Sequence, residues 1–116
     1  MKVYGYKKWG NCRKASSWLA EKGIDFESLE IRETPPTREE LKQMLAAKGE
    51  LKPLFNSSGM DYRSMGLKDV LPTLSENEAL KLLEENGNLV KRPFVIGDDV
   101  HLLGFKLTEW EQSFSS

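Results

Sequence analysis

Cysteine is nearly missing from this chain. Cys12 is the only one in 116 residues, so no disulfide can close within the chain and no cysteine cluster can hold a structural zinc. Histidine is as scarce, with His101 alone. No apolar run approaches the ~20 residues that span a bilayer, and the opening MKVYGYKK lacks the apolar centre of a secretory signal. Charge of one sign is lacking too. Seventeen Lys+Arg oppose eighteen Asp+Glu for a net charge of −1, so no global field draws nucleic acid or an anionic membrane. These absences predict a cytoplasmic monomer with no bound metal or cofactor, no direct nucleic-acid contact and no membrane contact. In that compartment a lone thiol stays reduced.

What is present is ordinary for a globular protein, with 39% hydrophobic and 30% charged residues. The length suits one domain over residues 1–116. Val3 to Tyr6 reads as a first strand, and Lys7 to Asn11 as a polar loop with Gly10 and Asn11 as turn or cap residues. Ala15, Trp18 and Leu19 then share one helix face, with Gly23 closing the helix. Phe26 to Ile31 alternates as a second strand. Strand, helix and strand in this span form a βαβ unit, so the two strands are expected to be parallel.

Thr34-Pro35-Pro36 breaks the chain. Thr37 with Glu40 is a capping box opening a helix that turns Leu41, Met44 and Leu45 inward and ends at Lys48-Gly49. Leu51 to Leu71 reads as short helical turns around Ser57-Ser58-Gly59. A second capping box, Ser75 with Glu78, starts a helix with Leu80 and Leu83 inward, ending near Asn86-Gly87. Residues 93–104 read as two strands around a Gly97-Asp98-Asp99 turn. Thr108 with Glu111 makes a third capping box for a closing helix through Trp110 and Phe114. The order is β-α-β, a helical insertion at about residues 34–90, then β-β-α, which is an α/β fold with a mixed four-stranded sheet.

That order matches the thioredoxin-like plan. Three blocks, "CRKASSWLAEKGIDFE", "LFNSSGMDYRSMGLKD" and "LVKRPFVIGDDVHLLGF", resemble the ArsC/Spx family, which holds arsenate reductases, relatives of unassigned activity and Spx-type regulators that bind RNA polymerase. Many of these relatives carry Cys-x-x-Cys directly before the Arg-Lys-Ala run. Set against it without gaps, Trp9-Gly10-Asn11-Cys12 occupies that motif. Trp9 then stands where the nucleophile is replaced, and Cys12 stands at the resolving position. A three-residue deletion would instead align Cys12 with the single nucleophile of other relatives.

The resemblance implies that Cys12 is the catalytic candidate and that Asn11, Arg13, Arg92, Pro93 and Lys106 bind substrate. Pro93 is expected to be cis beside the active loop, with Arg92 holding an oxyanion. Arsenate reductases of the family use two more arginines. Here the middle block reads Phe55-Asn56-Ser57-Ser58 and Lys106 follows Gly104-Phe105, with Arg63 outside the arsenate-binding pattern. Lysine supplies a point charge without the planar fork of arginine, so efficient arsenate reduction is not expected. The implied activity is thiol chemistry through one cysteine, with a small thiol such as glutathione as co-substrate. The implied alternative is a non-catalytic regulator that binds a protein such as RNA polymerase.

The residues also admit two physical readings of Cys12. The helix N-terminus, with Lys7, Lys8, Arg13 and Lys14 nearby in sequence, would favour thiolate and lower the pKa. A semi-buried thiol under Trp9 is the other reading, because free cysteine is among the most buried residue types. His101 is expected to be an exposed strand residue, and Glu84-Glu85 a solvated helix face. Trp9 serves either as a lid over Cys12 or as a partner-gripping aromatic.

Overall fold

The structure is a computed structural model that describes residues 1–114. Four short strands form one sheet: β1 (Lys2–Gly5), β2 (Glu27–Glu30), β3 (Phe94–Ile96) and β4 (His101–Leu103), in the order β2-β1-β3-β4. β1 and β2 are parallel, with Gly5 opposite Glu30, whereas β1 with β3 and β3 with β4 are antiparallel. The βαβ reading and the hairpin are both realised. Gly97 closes the hairpin by donating its N–H to the Val100 carbonyl at 2.9 Å.

Side chains alternate across the pleat and divide the core into two layers. On one face, Val3, Val95 and Leu102 pack with Ala15 and Leu19 of α1 (Gly10–Glu21) and with Trp110 of α6 (Leu107–Phe114). Trp110 is fully buried; its indole N–H donates to the Gly104 carbonyl at 3.1 Å, which satisfies the one polar group it brings inside. On the other face, Tyr4, Phe94 and Ile96 meet the helical insertion: α2 (Arg38–Lys48), α3 (Met60–Ser64), α4 (Leu67–Val70) and α5 (Glu76–Glu85). Fully burying each large apolar side chain here is worth roughly 1.5–3 kcal/mol.

The capping boxes at Thr37 and Ser75 are both present, each with its hydroxyl accepting from the N–H three residues on. The Thr108 box is not formed. α6 begins at Leu107, which puts Thr108 inside the first turn rather than before it. Helix α1 likewise starts earlier than expected. Trp9 is its N-cap, without a side-chain cap bond, and Gly10 and Asn11 are helical rather than loop residues. Glu84 is not a free solvated group either, because Arg38 of α2 donates to its carboxylate at 2.6 Å and ties α2 to α5.

A second link joins the insertion to the sheet. Glu40 completes the α2 capping box and also accepts the Tyr4 hydroxyl at 2.7 Å, with Lys2 at 3.4 Å. At the other end of the insertion, Gly87 passes so close to the chain after β2 that a Cβ there would lie 1.8 Å from the Ile31 carbonyl oxygen. No described helix is long and apolar enough to cross a membrane.

Candidate functional site

Because β1 and β2 run parallel, their carboxyl ends open on one edge of the sheet, the edge where open α/β sheets place ligands. Beyond Gly5 the chain makes a turn in which the Trp9 N–H donates to the Tyr6 carbonyl at 2.8 Å, and α1 begins at once. Cys12 is the third residue of α1. Helix side chains lean toward the N-terminus, and its Sγ accordingly reaches back to accept the Tyr6 N–H at 3.4 Å. Gly5 leaves room for it, since a Cβ at that position would lie 3.0 Å from the sulfur.

Arg92 arrives at this edge from the other side of the sheet, immediately before β3. Its peptide bond to Pro93 is cis, as the resemblance implies. The Arg92 guanidinium carbon lies 4.8 Å from the Trp9 ring centroid and 5.7 Å from that of Tyr6. Arg32, just past β2, covers Tyr6 at 4.6 Å. Trp9, Arg92, Tyr6 and Arg32 therefore form a run of alternating rings and cations. Such contacts contribute about 0.5–1 kcal/mol each when exposed and about 2 when desolvated. Arg92 is buried, and its Nε has no hydrogen-bond partner among the described residues.

The electrostatics of the sulfur differ from expectation. Burial is the largest influence and pushes the Cys12 thiol above its ordinary value. The Tyr6 N–H and the Arg92 charge pull it back, and Glu30 adds to the rise. A lowered pKa was expected from Lys7, Lys8, Arg13 and Lys14, but all four side chains are exposed. Arg92, some eighty residues away in sequence, is the cation that bears on the sulfur. Arg92 is itself pushed below its ordinary value, by burial first and by Arg32.

The other expected residues separate into groups. Trp9 is 37% exposed and packs on Arg92. Asn11 and Arg13 are exposed on the first turn of α1. Pro93 is buried beside Arg92. Lys106 faces a different cleft, shared with Lys52 and Lys91, and its ion-pair partner is Glu109 at 3.9 Å. Asn56 of the middle block is buried, with an amide nitrogen that makes no hydrogen bond among the described residues, and Arg63 donates to the Ser58 carbonyl at 2.7 Å. His101 is half-buried in β4 rather than exposed. Among the described residues no group of three or more His, Cys, Asp or Glu is placed to hold a metal.

Tyr6, Glu30 and Arg32 were missed as site residues. Beside Cys12 they line a cleft of 530 Å³ with Lys7, Lys8 and Asn88. The signal was available: all three stand at the carboxyl ends of the two strands read as parallel.

Comparison with known proteins agrees with this architecture. The uncharacterised protein YusI of Bacillus subtilis (strain 168) is 42% identical over 97% of this chain and 96% of its own length. The regulatory protein MgsR of the same strain is 28% identical over 88% of this chain and 80% of its own. A crystal structure described as a possible arsenate reductase from Streptococcus mutans UA159 superposes with a TM-score of 0.89 at 35% identity, covering 97% of each chain. The ArsC family pattern matches residues 4–113, and this chain, with its thioredoxin-like sheet, belongs to the ArsC family.

Proposed function

We propose that this protein is a thiol oxidoreductase that works through Cys12 alone, with an external thiol such as glutathione as reductant. The observation that carries the reading is the Cys12 Sγ held at 3.4 Å by the Tyr6 N–H with the Arg92 cation acting on it. Both groups favour the sulfur as an anion, and a thiolate is the attacking form. In the first step the Cys12 thiolate attacks one sulfur of a small disulfide. A Cys12 mixed disulfide forms, the substrate S–S bond breaks, and one thiolate leaves and takes up a proton. In the second step an external thiolate attacks the mixed disulfide, forms a new external disulfide and returns Cys12 as thiolate. That disulfide joins the external thiol to the substrate's second sulfur; attack on it by a second external thiolate releases that sulfur as a thiol, so two external thiols are oxidised to a disulfide for each substrate disulfide reduced. Arg92 and the Tyr6 N–H hold the negative charge on Cys12 between steps. Cys12 is buried, so side chains around it have to move for substrate to reach the sulfur.

The test is incubation with oxidised glutathione, followed by mass measurement of the intact protein and by a coupled turnover assay. A single glutathione adduct that is absent in Cys12→Ser, together with turnover that falls in Arg92→Gln, is the expected result. No adduct on the folded protein, at any pH, overturns the reading.

A second reading is a regulator that docks on a protein such as RNA polymerase. The burial of Cys12 and its raised pKa favour it, since both slow thiol chemistry. The similarity to MgsR, whose name is that of a regulatory protein, points the same way. A disulfide switch within Cys-x-x-Cys is impossible with one cysteine, so such a regulator responds to another signal. Absence of turnover combined with capture of RNA polymerase from a lysate of the source cell would select this reading.

A further inference from the structure

Away from Cys12, two clefts meet on the helical insertion because both are lined by Lys52 and Ser57. The first, of 460 Å³, brings Lys48, Lys52, Lys91 and Lys106 together with Glu50 and Glu109. The second, of 470 Å³, adds Arg63 and Lys68 with Asp69. The joined groove thus carries six cations against three carboxylates in a chain whose overall charge is −1, and the remaining surface is net acidic. Within the groove, Lys106 pairs with Glu109, whereas Lys48, Lys52, Lys68 and Lys91 form no ion pair among the described residues. Like charges in excess of their counter-charges raise the potential of a concave surface and attract an anionic partner.

The segment that carries Arg63 and Lys68 also exposes apolar side chains. Met60 is 82% exposed, Met65 42% and Val70 40%, all on the same α3–α4 segment as Arg63 and Lys68. Exposed methionines are adaptable contact residues at protein-binding surfaces. The aromatics of the lining, Phe55 and Tyr62, are 2% and 6% exposed, so they present no face on which a nucleic-acid base stacks. The three carboxylates spaced among the cations would repel a phosphate backbone but accept a protein segment of mixed side chains.

We propose that this groove docks an acidic segment of a partner protein, with carboxylates on the Lys52–Lys91 and Lys68 positions and a large apolar side chain against Met60 and Met65. Complementary charge of this kind governs register and association rate more than packing does. The probe is a fluorescein-labelled peptide rich in Asp, Glu and Leu, measured by anisotropy at low and at physiological salt. A Lys- and Leu-rich peptide and a single-stranded oligodeoxynucleotide of matched charge are the comparisons. The acidic peptide is expected to bind best and to weaken with salt. Lys52→Glu with Lys68→Glu is expected to weaken it at least about fivefold, and Met60→Ser to weaken it at both salt levels. Lys22→Glu and Lys81→Glu, exposed lysines on α1's end and on α5, are expected to leave it unchanged. Tighter binding of the oligonucleotide, equal losses in the control variants, or no binding at low salt each overturns the proposal. Circular dichroism of every variant separates a lost surface from a lost fold.

Discussion

Trp9 rests against Arg92, with 4.8 Å between the indole centroid and the guanidinium carbon. In the gapless alignment of Trp9-Gly10-Asn11-Cys12 with Cys-x-x-Cys, the residue at the first cysteine's place packs on the arginine that bears on Cys12. Trp9→Ala is expected to raise the rate of iodoacetamide labelling of Cys12 several-fold at fixed pH. It should cost only about 1 kcal/mol of stability, the worth of one partly exposed cation–π contact. An unchanged labelling rate would mean that Trp9 is not the barrier.

Trp9→Cys should rebuild a dithiol. Trp9 is the N-cap of α1 and Cys12 lies one turn in, a spacing compatible with the roughly 5.5 Å Cα separation of a disulfide. Mild oxidation is expected to give an intramolecular bond, seen as a two-hydrogen mass loss in the monomer. Formation of dimers or thiol adducts alone would show that the two positions do not face each other.

The pH dependence of Cys12 follows from burial. Its folded pKa is raised, so labelling of the folded protein should have a midpoint above the ~8.5 of a free thiol. Arg92→Gln removes a charge that pulls the value down, and the midpoint should move higher still. Linkage has a definite sign here. The contribution of Cys12 to stability is fully present below the unfolded value of about 8.5 and is lost as pH rises through the folded value. Cys12→Ala should therefore flatten the alkaline limb of a stability–pH curve measured by denaturant titration.

Glu40 should dominate part of the acid limb. Burial raises its pKa, but hydrogen bonds from Tyr4 and Thr37 and the charge of Lys2 outweigh burial and leave it lowered. Its contribution is present above the unfolded value of about 4.3 and is lost as pH falls through the folded value. Glu40→Gln keeps the shape and removes the charge. A loss of about 1.5–3 kcal/mol at neutral pH is expected, with a smaller difference from the parent at pH 3 or below. A difference that does not shrink with acid would exclude the charge as its cause.

Gly87→Ala is expected to be severe. The new Cβ would stand 1.8 Å from the Ile31 carbonyl oxygen, a backbone atom that cannot rotate away. A loss above about 4 kcal/mol, or failure to fold, should appear in thermal unfolding. Gly10→Ala meets nothing within 4 Å and serves as the tolerant comparison.

Local patterning was sufficient for most of the architecture. The strand–helix–strand opening, the hairpin, and the capping boxes at Thr37 and Ser75 rest on residues within a few positions of one another, and each formed, with α1 starting earlier than read. Local patterning misled at Thr108, where the same spacing occurs but the helix starts at Leu107, two residues before a Thr108 cap would start it. The family resemblance named Cys12 and Arg92 as candidates without saying how they meet. Proximity in sequence suggested Lys7, Lys8, Arg13 and Lys14 as partners of the thiol, yet helix and loop geometry turns all four to solvent. Arg92 reaches the sulfur because β3 pairs antiparallel with β1, which carries a residue far along the chain to the end of the first strand. Tyr6, Glu30 and Arg32 join it because β1 and β2 run parallel and end together. The elements were written in short-range chemistry. Which charges face Cys12, and whether burial or attraction wins there, was decided by strand pairing, since electrostatic environment depends on distance in space rather than along the chain.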